Sequence, residues 1–291
     1  GKRDKMEARI TGHTGLLALI GSPVAHSGSP AMYNYSFARL GLDYVYVAFD
    51  VKKEETGEAI KAMRLFGMRG MNVTMPCKGE ALTYMDKLSP AARLMGAVNT
   101  IVNDNGVLTG YNTDGAGFVR NLKEHGISVQ GKCITLAGGG GAATAIQVQC
   151  ALDGAKEIRV FNRRAHTREM AERVAAEAPD CRITVSDIAD GDALREYFAS
   201  SGIFINATSV GMKPMDGESV IKDTSVFRPD LAVADVVYNP AWTRLLREAS
   251  QAGCTCVDGR GMLLWQGVEA FKLYTGLDMP VDEVRERFFK E

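Results

Sequence analysis

Apolar positions along the chain fall in short runs separated by amphipathic stretches, the rhythm of a sheet wound with helices. Leu16-Leu-Ala-Leu-Ile20 is a continuous apolar run ending at Gly21-Ser-Pro, the pattern of a buried strand, and Ala31 to Leu40 follows as a helix stopped by Gly41. Tyr44 to Val51 predicts a strand, Glu54 to Phe66 a helix and Met68 to Met75 another strand. This βαβαβ order favours a parallel sheet, because the intervening helices supply the right-handed crossovers. Pro76 to Met95 reads as a denser loop-and-helix region. Ala97 to Asn103 and Val107 to Tyr111 then flank the turn-forming Asn103-Asp-Asn-Gly106 and predict a hairpin.

The rhythm restarts at Lys132. Cys133 to Ala137 predicts a strand running into Gly138-Gly-Gly-Gly141, and Ala142 to Leu152 has helical composition. Ile158 to Phe161 follows as a strand, Thr167 to Ala176 as a helix, and Ile203 to Ile205 and Leu231 to Val237 as further strands. A second α/β unit therefore begins near residue 115. No repeat of solenoid length interrupts the pattern.

A length of 291 residues suits two domains at roughly 100–200 residues each. The 34 basic and 35 acidic side chains leave a net charge of −1, which removes the global electrostatic footprint of a nucleic-acid or anionic-membrane binder. No apolar run approaches the roughly 18 residues of a membrane span. Gly1 to Gly15 is polar, without the apolar core of a signal peptide, so a soluble, cytoplasmic protein is expected. The six cysteines are dispersed except Cys254 and Cys256, whose C-x-C spacing lies in a β-like stretch where side chains alternate faces. The histidines at 13, 26, 125 and 166 form no ligand spacing. Reduced structural thiols and no metal site are expected.

Gly138-x-Gly140-x-x-Ala143 lies between a predicted strand and a predicted helix, the context that makes a glycine pattern informative. Gly138 permits the tight turn, Gly140 lets backbone approach a pyrophosphate, and Ala143 allows close helix packing. The helix N-terminus then offers its unpaired N–H groups to phosphate. The competing reading is a glycine-rich turn without a ligand; a P-loop is disfavoured because no Lys-Ser/Thr pair follows. The next strand ends Phe161-Asn-Arg-Arg-Ala165, with Arg163 and Arg164 and no acid to hold a free ribose. That leans to NADP, with NAD as the alternative.

Three N-terminal segments place polar residues where strands end. Ser27 and Ser29 lie in a loop entering a helix, suited to a carboxylate, although such residues are more often plain caps. Asn72, Thr74 and Lys78 follow the strand end where open α/β sheets bind ligands, although a lone lysine there is usually a solvated charge. Asp114 sits in a turn and by itself reads as an Asx turn or cap.

Together, Ser27-Gly-Ser-Pro30, Asn72-Val-Thr-Met-Pro-Cys-Lys78, Ala97-Val-Asn-Thr100, Asn112-Thr-Asp-Gly115, the glycine loop and Gly261-Met-Leu-Leu-Trp-Gln266 resemble the shikimate dehydrogenase family, in the family's own order. The resemblance runs from about Leu16 to Phe271. Gly211-Met-Lys-Pro214, Val237-Tyr-Asn-Pro240 and Asp258-Gly-Arg-Gly-Met-Leu-Leu-Trp-Gln266 look most like its quinate/shikimate dehydrogenase branch. Two positions depart from that branch: Thr74 is the residue of strict shikimate enzymes, and Ala165 stands where a dual-cofactor relative carries Asp.

The resemblance implies an α/β fold of two domains with the substrate in a cleft between them. Residues 1–114 with 259–291 would form a substrate domain with a mainly parallel sheet, and 115–258 a Rossmann-like NAD(P) domain. The C-terminal helices, Met262 to Tyr274 and Val281 to Phe289, would fold back onto the first. It implies reversible hydride transfer between NADP(H) and shikimate or 3-dehydroshikimate, in aromatic amino acid (chorismate) biosynthesis, with quinate and NAD use as the runner-up.

Lys78 and Asp114 would be the catalytic pair. Proton transfer is assigned to both together, because a neighbouring carboxylate favours the charged lysine while burial opposes it. Ser27 and Ser29 would hold the substrate carboxylate with Tyr238 assisting, and Thr74, Asn99, Asp114 and Gln266 would bind ring hydroxyls. Gly138, Gly139, Gly140, Gly141, Ala142, Asn162, Arg163, Arg164, Thr208 and Gly259 would contact the cofactor. The implied partners are small molecules only, with no nucleic acid and no membrane, and the chain a monomer or homodimer. A non-catalytic nucleotide sensor is the alternative of another class, opposed by the presence of both Lys78 and Asp114. The methylene-tetrahydrofolate dehydrogenase plan is opposed by the Ser-Gly-Ser-Pro and Asn-Thr-Asp-Gly segments.

Overall fold

The computed structural model describes residues 9–162, 165–187, 189 and 191–290. They gather into two compact units, one of residues up to Asn112 with those from Gly267, the other Thr113–Gln266.

The first unit opens with β1 (Gly15–Gly21), α1 (Ser29–Leu40), β2 (Tyr44–Asp50), α2 (Thr56–Leu65) and β3 (Gly70–Val73). Helical crossovers between these strands make β2, β1 and β3 mutually parallel, in that spatial order. Leu17, Ala18 and Ile20 of the central β1 are fully buried, as its unbroken apolar run requires. The predicted strand through Met75 stops at Val73, and the chain turns at Thr74 into α3 (Lys78–Ala81), β4 (Lys87–Leu88) and α4 (Pro90–Met95).

β5 (Thr100–Asp104) and β6 (Val107–Tyr111) form the expected antiparallel hairpin, with β5 also antiparallel to β3 and β4 parallel to β6. Asn105 and Gly106 turn it with φ of 53° and 90°, as a two-residue type I′ turn demands. Asn103 braces the turn by accepting from Gly106 N at 2.8 Å and donating to Met68 O at 2.9 Å.

The second unit contains α5 (Asp114–Glu124), β7 (Cys133–Ala137), α6 (Gly141–Leu152), β8 (Glu157–Phe161), α7 (Ala165–Glu177), β9 (Arg182–Ser186) and α8 (Gly191–Ser200). It continues with β10 (Ile203–Asn206), β11 (Ala232–Asp235), α9 (Arg244–Gln251) and β12 (Thr255–Val257). Its sheet is wholly parallel in the order β12-β11-β10-β7-β8-β9. The winding reverses between β7 and β10, which places a switch point beside the glycine loop. β12 carries the C-x-C stretch. All six cysteines are free, and burial pushes the Cys181 and Cys256 thiols up to about 11, so they stay protonated.

α10 (Arg260–Thr275) and α11 (Val281–Phe288) end the chain. From Gly267 onward they pack on α1: Tyr33 Oη donates to Gly267 O at 3.0 Å, and Phe271 stacks on Phe37 at 5.6 Å. Glu283 takes the Tyr35 hydroxyl at 2.7 Å and Arg39 Nε at 3.0 Å. Among the described residues no helix is long and apolar enough to cross a membrane.

Candidate active site

In the first unit the candidate residues cluster at the C-terminal end of β1 and β3. Thr74 N donates to Ile20 O of β1 at 2.9 Å and Ser22 N to Met75 O at 3.0 Å, which fastens the loop after β3 to the end of β1 and the loop that follows it. The Ser22 loop leads into α1, where Ser29 N donates to Ser27 Oγ at 3.2 Å. Ser27 thus closes a local turn just before the helix, whose N-cap is Gly28, and accepting that bond still leaves its hydroxyl proton to donate. Ser27, Ser29 and Thr74 are all half-buried, accessible to a small molecule.

Lys78 is the first residue of α3 and also half-buried. Its carbonyl accepts from Val98 N at 3.0 Å, which ties the helix to the segment carrying Asn99. Asn99 is buried and bound through its backbone to both neighbours: its N–H donates to Tyr111 O at 3.0 Å and its carbonyl takes Val73 N at 2.8 Å. Asn72 and Asn99 also belong to a buried polar network, whose bonds to Tyr46 and Thr100 the sequence pattern did not reveal. Tyr46 Oη donates to Asn72 Oδ1 at 2.9 Å. Asn72 Nδ2 donates to Asn99 O at 3.2 Å and Thr100 Oγ1 at 3.1 Å, and Thr100 Oγ1 donates to Asn99 Oδ1 at 2.9 Å.

In the second unit Asp114 opens α5, a half-buried carboxylate at the positive end of the helix. Gly117 stands one turn further on the same face. A Cβ there would lie 2.4 Å from Gln266 N, so α5 and α10 meet backbone to backbone and Gln266 sits a turn from Asp114. Gln266 Nε2 donates to Leu263 O at 3.0 Å. Tyr238 is 51% exposed on the loop after β11, and Gly259 is packed against that loop, where a Cβ would meet Val236 O at 2.4 Å.

The glycine loop leaves β7 with Gly138 at φ 127°, a conformation closed to most side chains. A Cβ at Gly138 would also lie 2.6 Å from Ala207 O, next to Thr208. Gly139 is pressed against Asn162, which donates to Thr167 Oγ1 at 2.7 Å, and Gly139 O is 2.8 Å from His166 Nε2. Gly140 and Gly141 face open space, with nothing within 4 Å of a Cβ at either, and no side chain caps α6. Backbone N–H groups at an uncapped helix start, fronted by residues without side chains, fit the pyrophosphate of a dinucleotide. Arg163 and Arg164 lie outside the described residues.

A second unanticipated network fixes the loops after β10 and β11. Asp235 is 1% exposed and accepts from Asn206 Nδ2 at 3.0 Å, Val237 N at 3.0 Å and Thr243 Oγ1 at 2.8 Å. Asn206 Oδ1 in turn accepts from Thr208 Oγ1 at 2.6 Å and Thr208 N at 3.1 Å. Thr208 is the one member that the family resemblance marked, and Asp235 stands out in the sequence as the one acid in the apolar stretch Leu231 to Val237.

Two family profiles match the chain: the shikimate dehydrogenase substrate binding domain over residues 19–101, and the shikimate 5'-dehydrogenase C-terminal domain over 259–287. The shikimate dehydrogenase (NADP(+)) of Listeria monocytogenes serotype 4b is 50% identical over 290 residues, covering 98% of this chain and 99% of the relative. The crystal structure of shikimate 5-dehydrogenase from Listeria monocytogenes, in complex with shikimate and NAD, aligns at TM-score 0.94 and 50% identity over 97% of this chain and 99% of that one. Quinate dehydrogenase from Corynebacterium glutamicum, in complex with NAD, aligns at TM-score 0.84 and 30% identity over 95% and 99%. Sequence motifs, fold and near full-length identity agree, and the chain belongs to the shikimate dehydrogenase family.

Proposed function

We propose that this chain is an NADP-dependent shikimate dehydrogenase of aromatic amino acid biosynthesis, acting in the cytoplasm, which interconverts shikimate and 3-dehydroshikimate. The reading is supported above all by 50% identity over nearly the whole length to a shikimate dehydrogenase (NADP(+)), with its motif residues standing at the sheet ends described above. Residues 1–114 with 259–291 serve as the substrate domain and 115–258 as the nucleotide domain.

Oxidation removes a hydride from the carbinol carbon and a proton from its oxygen. The bound nicotinamide supplies the hydride acceptor. Lys78 and Asp114 move the proton as a pair: as hydride leaves the carbon the hydroxyl proton passes to the pair and from it to solvent water, and the protonated lysine Nζ stabilises negative charge on the reacting oxygen. Ser27 and Ser29 anchor the substrate carboxylate with Tyr238, while Thr74, Asn99, Asp114 and Gln266 bind ring hydroxyls. A polyol acid needs such directional partners, and an analogue lacking a hydroxyl leaves a buried group unpaired. Gly138, Gly139, Gly140, Gly141 and Ala142 hold the pyrophosphate at the start of α6. Asn162, Arg163 and Arg164 hold the adenosine end, with Thr208 and Gly259 contributing.

The cofactor assignment has a direct test in Gly140→Asp. Gly140 has φ −84°, ordinary for any residue, and a Cβ there meets nothing within 4 Å, so the fold accommodates the change. Aspartate at this position caps α6, and thermal stability is expected to hold or rise slightly. The same carboxylate repels a pyrophosphate, and the KM for NADP+ is expected to rise by about tenfold or more. An unchanged KM would place the dinucleotide elsewhere. Turnover of shikimate with NADP+ by the wild-type protein, followed by reduced-nicotinamide absorbance, tests the activity itself.

A further inference from the structure

We propose that Tyr46, fully buried beneath the polar end of the first unit, is a positioning residue for substrate recognition, acting through Asn72 and Thr100 on Asn99. The inference rests on the shikimate reading and adds a specificity role that the motif residues do not include.

The hydrogen-bond donors in this network have only one consistent direction. Asn99 O is a backbone carbonyl and can only accept, so the Asn72 atom 3.2 Å from it is the amide nitrogen. Asn72 Oδ1 therefore faces Tyr46 and takes its hydroxyl proton at 2.9 Å. Thr100 Oγ1 accepts from Asn72 Nδ2 at 3.1 Å and so sends its own proton to Asn99 Oδ1, 2.9 Å away. The carbonyl end of the Asn99 side chain is held against Thr100, and the amide end it turns away is a donor.

The relay Tyr46, Asn72, Thr100, Asn99 thus fixes one orientation: Asn99 as a donor toward a ring oxygen. Tyr46 is rigid enough for this task. Its ring stacks on Tyr33 at 4.6 Å with planes 5° apart, and Asn34 grips its backbone through Tyr46 N at 2.8 Å and Tyr46 O at 2.7 Å. Exposure of the Tyr46 side chain is 1%, which leaves its hydroxyl no solvent to exchange for Asn72.

Tyr46→Phe keeps the ring, the stack and the burial and removes only the hydroxyl. The expected result is a five- to tenfold rise, roughly, in KM for shikimate, with kcat changed less than about threefold and KM for NADP+ unchanged. Thr100→Val should reproduce this split and Thr100→Ser should restore it. The double variant Tyr46→Phe/Thr100→Val should be less than additive, because both act on Asn72. A merely structural role would shift melting temperature without separating the two KM values. Shikimate KM within twofold of wild type in Tyr46→Phe, in a protein that oxidises shikimate, would overturn this assignment alone. A wild-type protein that neither binds nor oxidises shikimate would overturn the proposed function and the assignment with it.

Discussion

Replacing Lys78 by alanine is expected to lower kcat for shikimate oxidation by about 10²–10⁴-fold, the range for a lost proton-transfer group. The protein should remain folded, because Lys78 supports its surroundings through a backbone carbonyl bound to Val98 N at 3.0 Å, which alanine retains. Its half-buried side chain also leaves no large cavity when truncated. Shikimate binding by calorimetry should therefore weaken far less than turnover falls. Asp114→Asn is expected to lower kcat as well. The Lys78→Ala/Asp114→Asn double variant should be little worse than the poorer single one, since residues acting as a unit are not additive. A Lys78→Ala enzyme with wild-type turnover would remove the lysine from the chemistry, and fully additive losses would mean that the two residues act in separate steps.

The second large effect is on stability. Asp235→Ala leaves three donors, Asn206 Nδ2, Val237 N and Thr243 Oγ1, facing an empty buried site. At about 1–3 kcal/mol for each of the three orphaned buried groups, a total loss of at least about 3 kcal/mol is expected, read by denaturant unfolding. Asp235→Asn behaves differently, because its amide oxygen can keep the two donors on Oδ1 while its nitrogen turns the bond with the Thr243 hydroxyl around.

The pH dependence of this pair has a definite sign. Burial pushes Asp235 from the ordinary 3.8 up to about 6, even though its three hydrogen bonds pull the other way. The folded state therefore holds this proton more tightly than the unfolded chain does. The resulting stabilisation is fully present below about pH 4 and is lost as pH rises through 6. At 1.36 kcal/mol for each pH unit, the swing is about 3 kcal/mol. Asparagine has no such ionisation, so the stability of Asp235→Asn relative to wild type should improve by about that amount between pH 4 and pH 7. A difference that is flat with pH would mean that Asp235 ionises in the fold as easily as in water.

Much of this architecture is legible in the chain because its cues are local. The run Leu16 to Ile20 can only be a strand buried on both faces, and Asn105-Gly106 supplies the positive φ values that a tight hairpin needs. The glycine loop declared itself by lying between Cys133 to Ala137 and an alanine-rich helix. β9 and α8 were not anticipated. β9 is an edge strand of Arg182-Ile-Thr-Val-Ser with half-buried positions after Arg182, so it lacks the apolar run that marks its inner neighbours. β3 ends before the predicted Met75, where Met75 O takes Ser22 N of the loop after β1 and the chain turns toward α3.

The candidate site divides along the same line. Lys78, Thr74 and Asp114 follow or begin regular elements and carry motif identity. Asn72 and Thr100 carry motif identity as well, but their bonds to Tyr46 and Asn99 join strands far apart in sequence, and a tyrosine in an apolar strand gives no sign of where its hydroxyl goes. Gly117 likewise owes its identity to the backbone of Gln266, a contact that spacing does not reveal.

The most direct test of the central claim is one comparison of kcat/KM for shikimate and for quinate, each with NADP+ and with NAD+, under the same conditions. The residues at 74 and 163–165 predict that shikimate with NADP+ has the highest value of the four and that quinate with NAD+ has the lowest. Equal or greater values for quinate, or for NAD+, would contradict the account and move the chain to the quinate/shikimate branch.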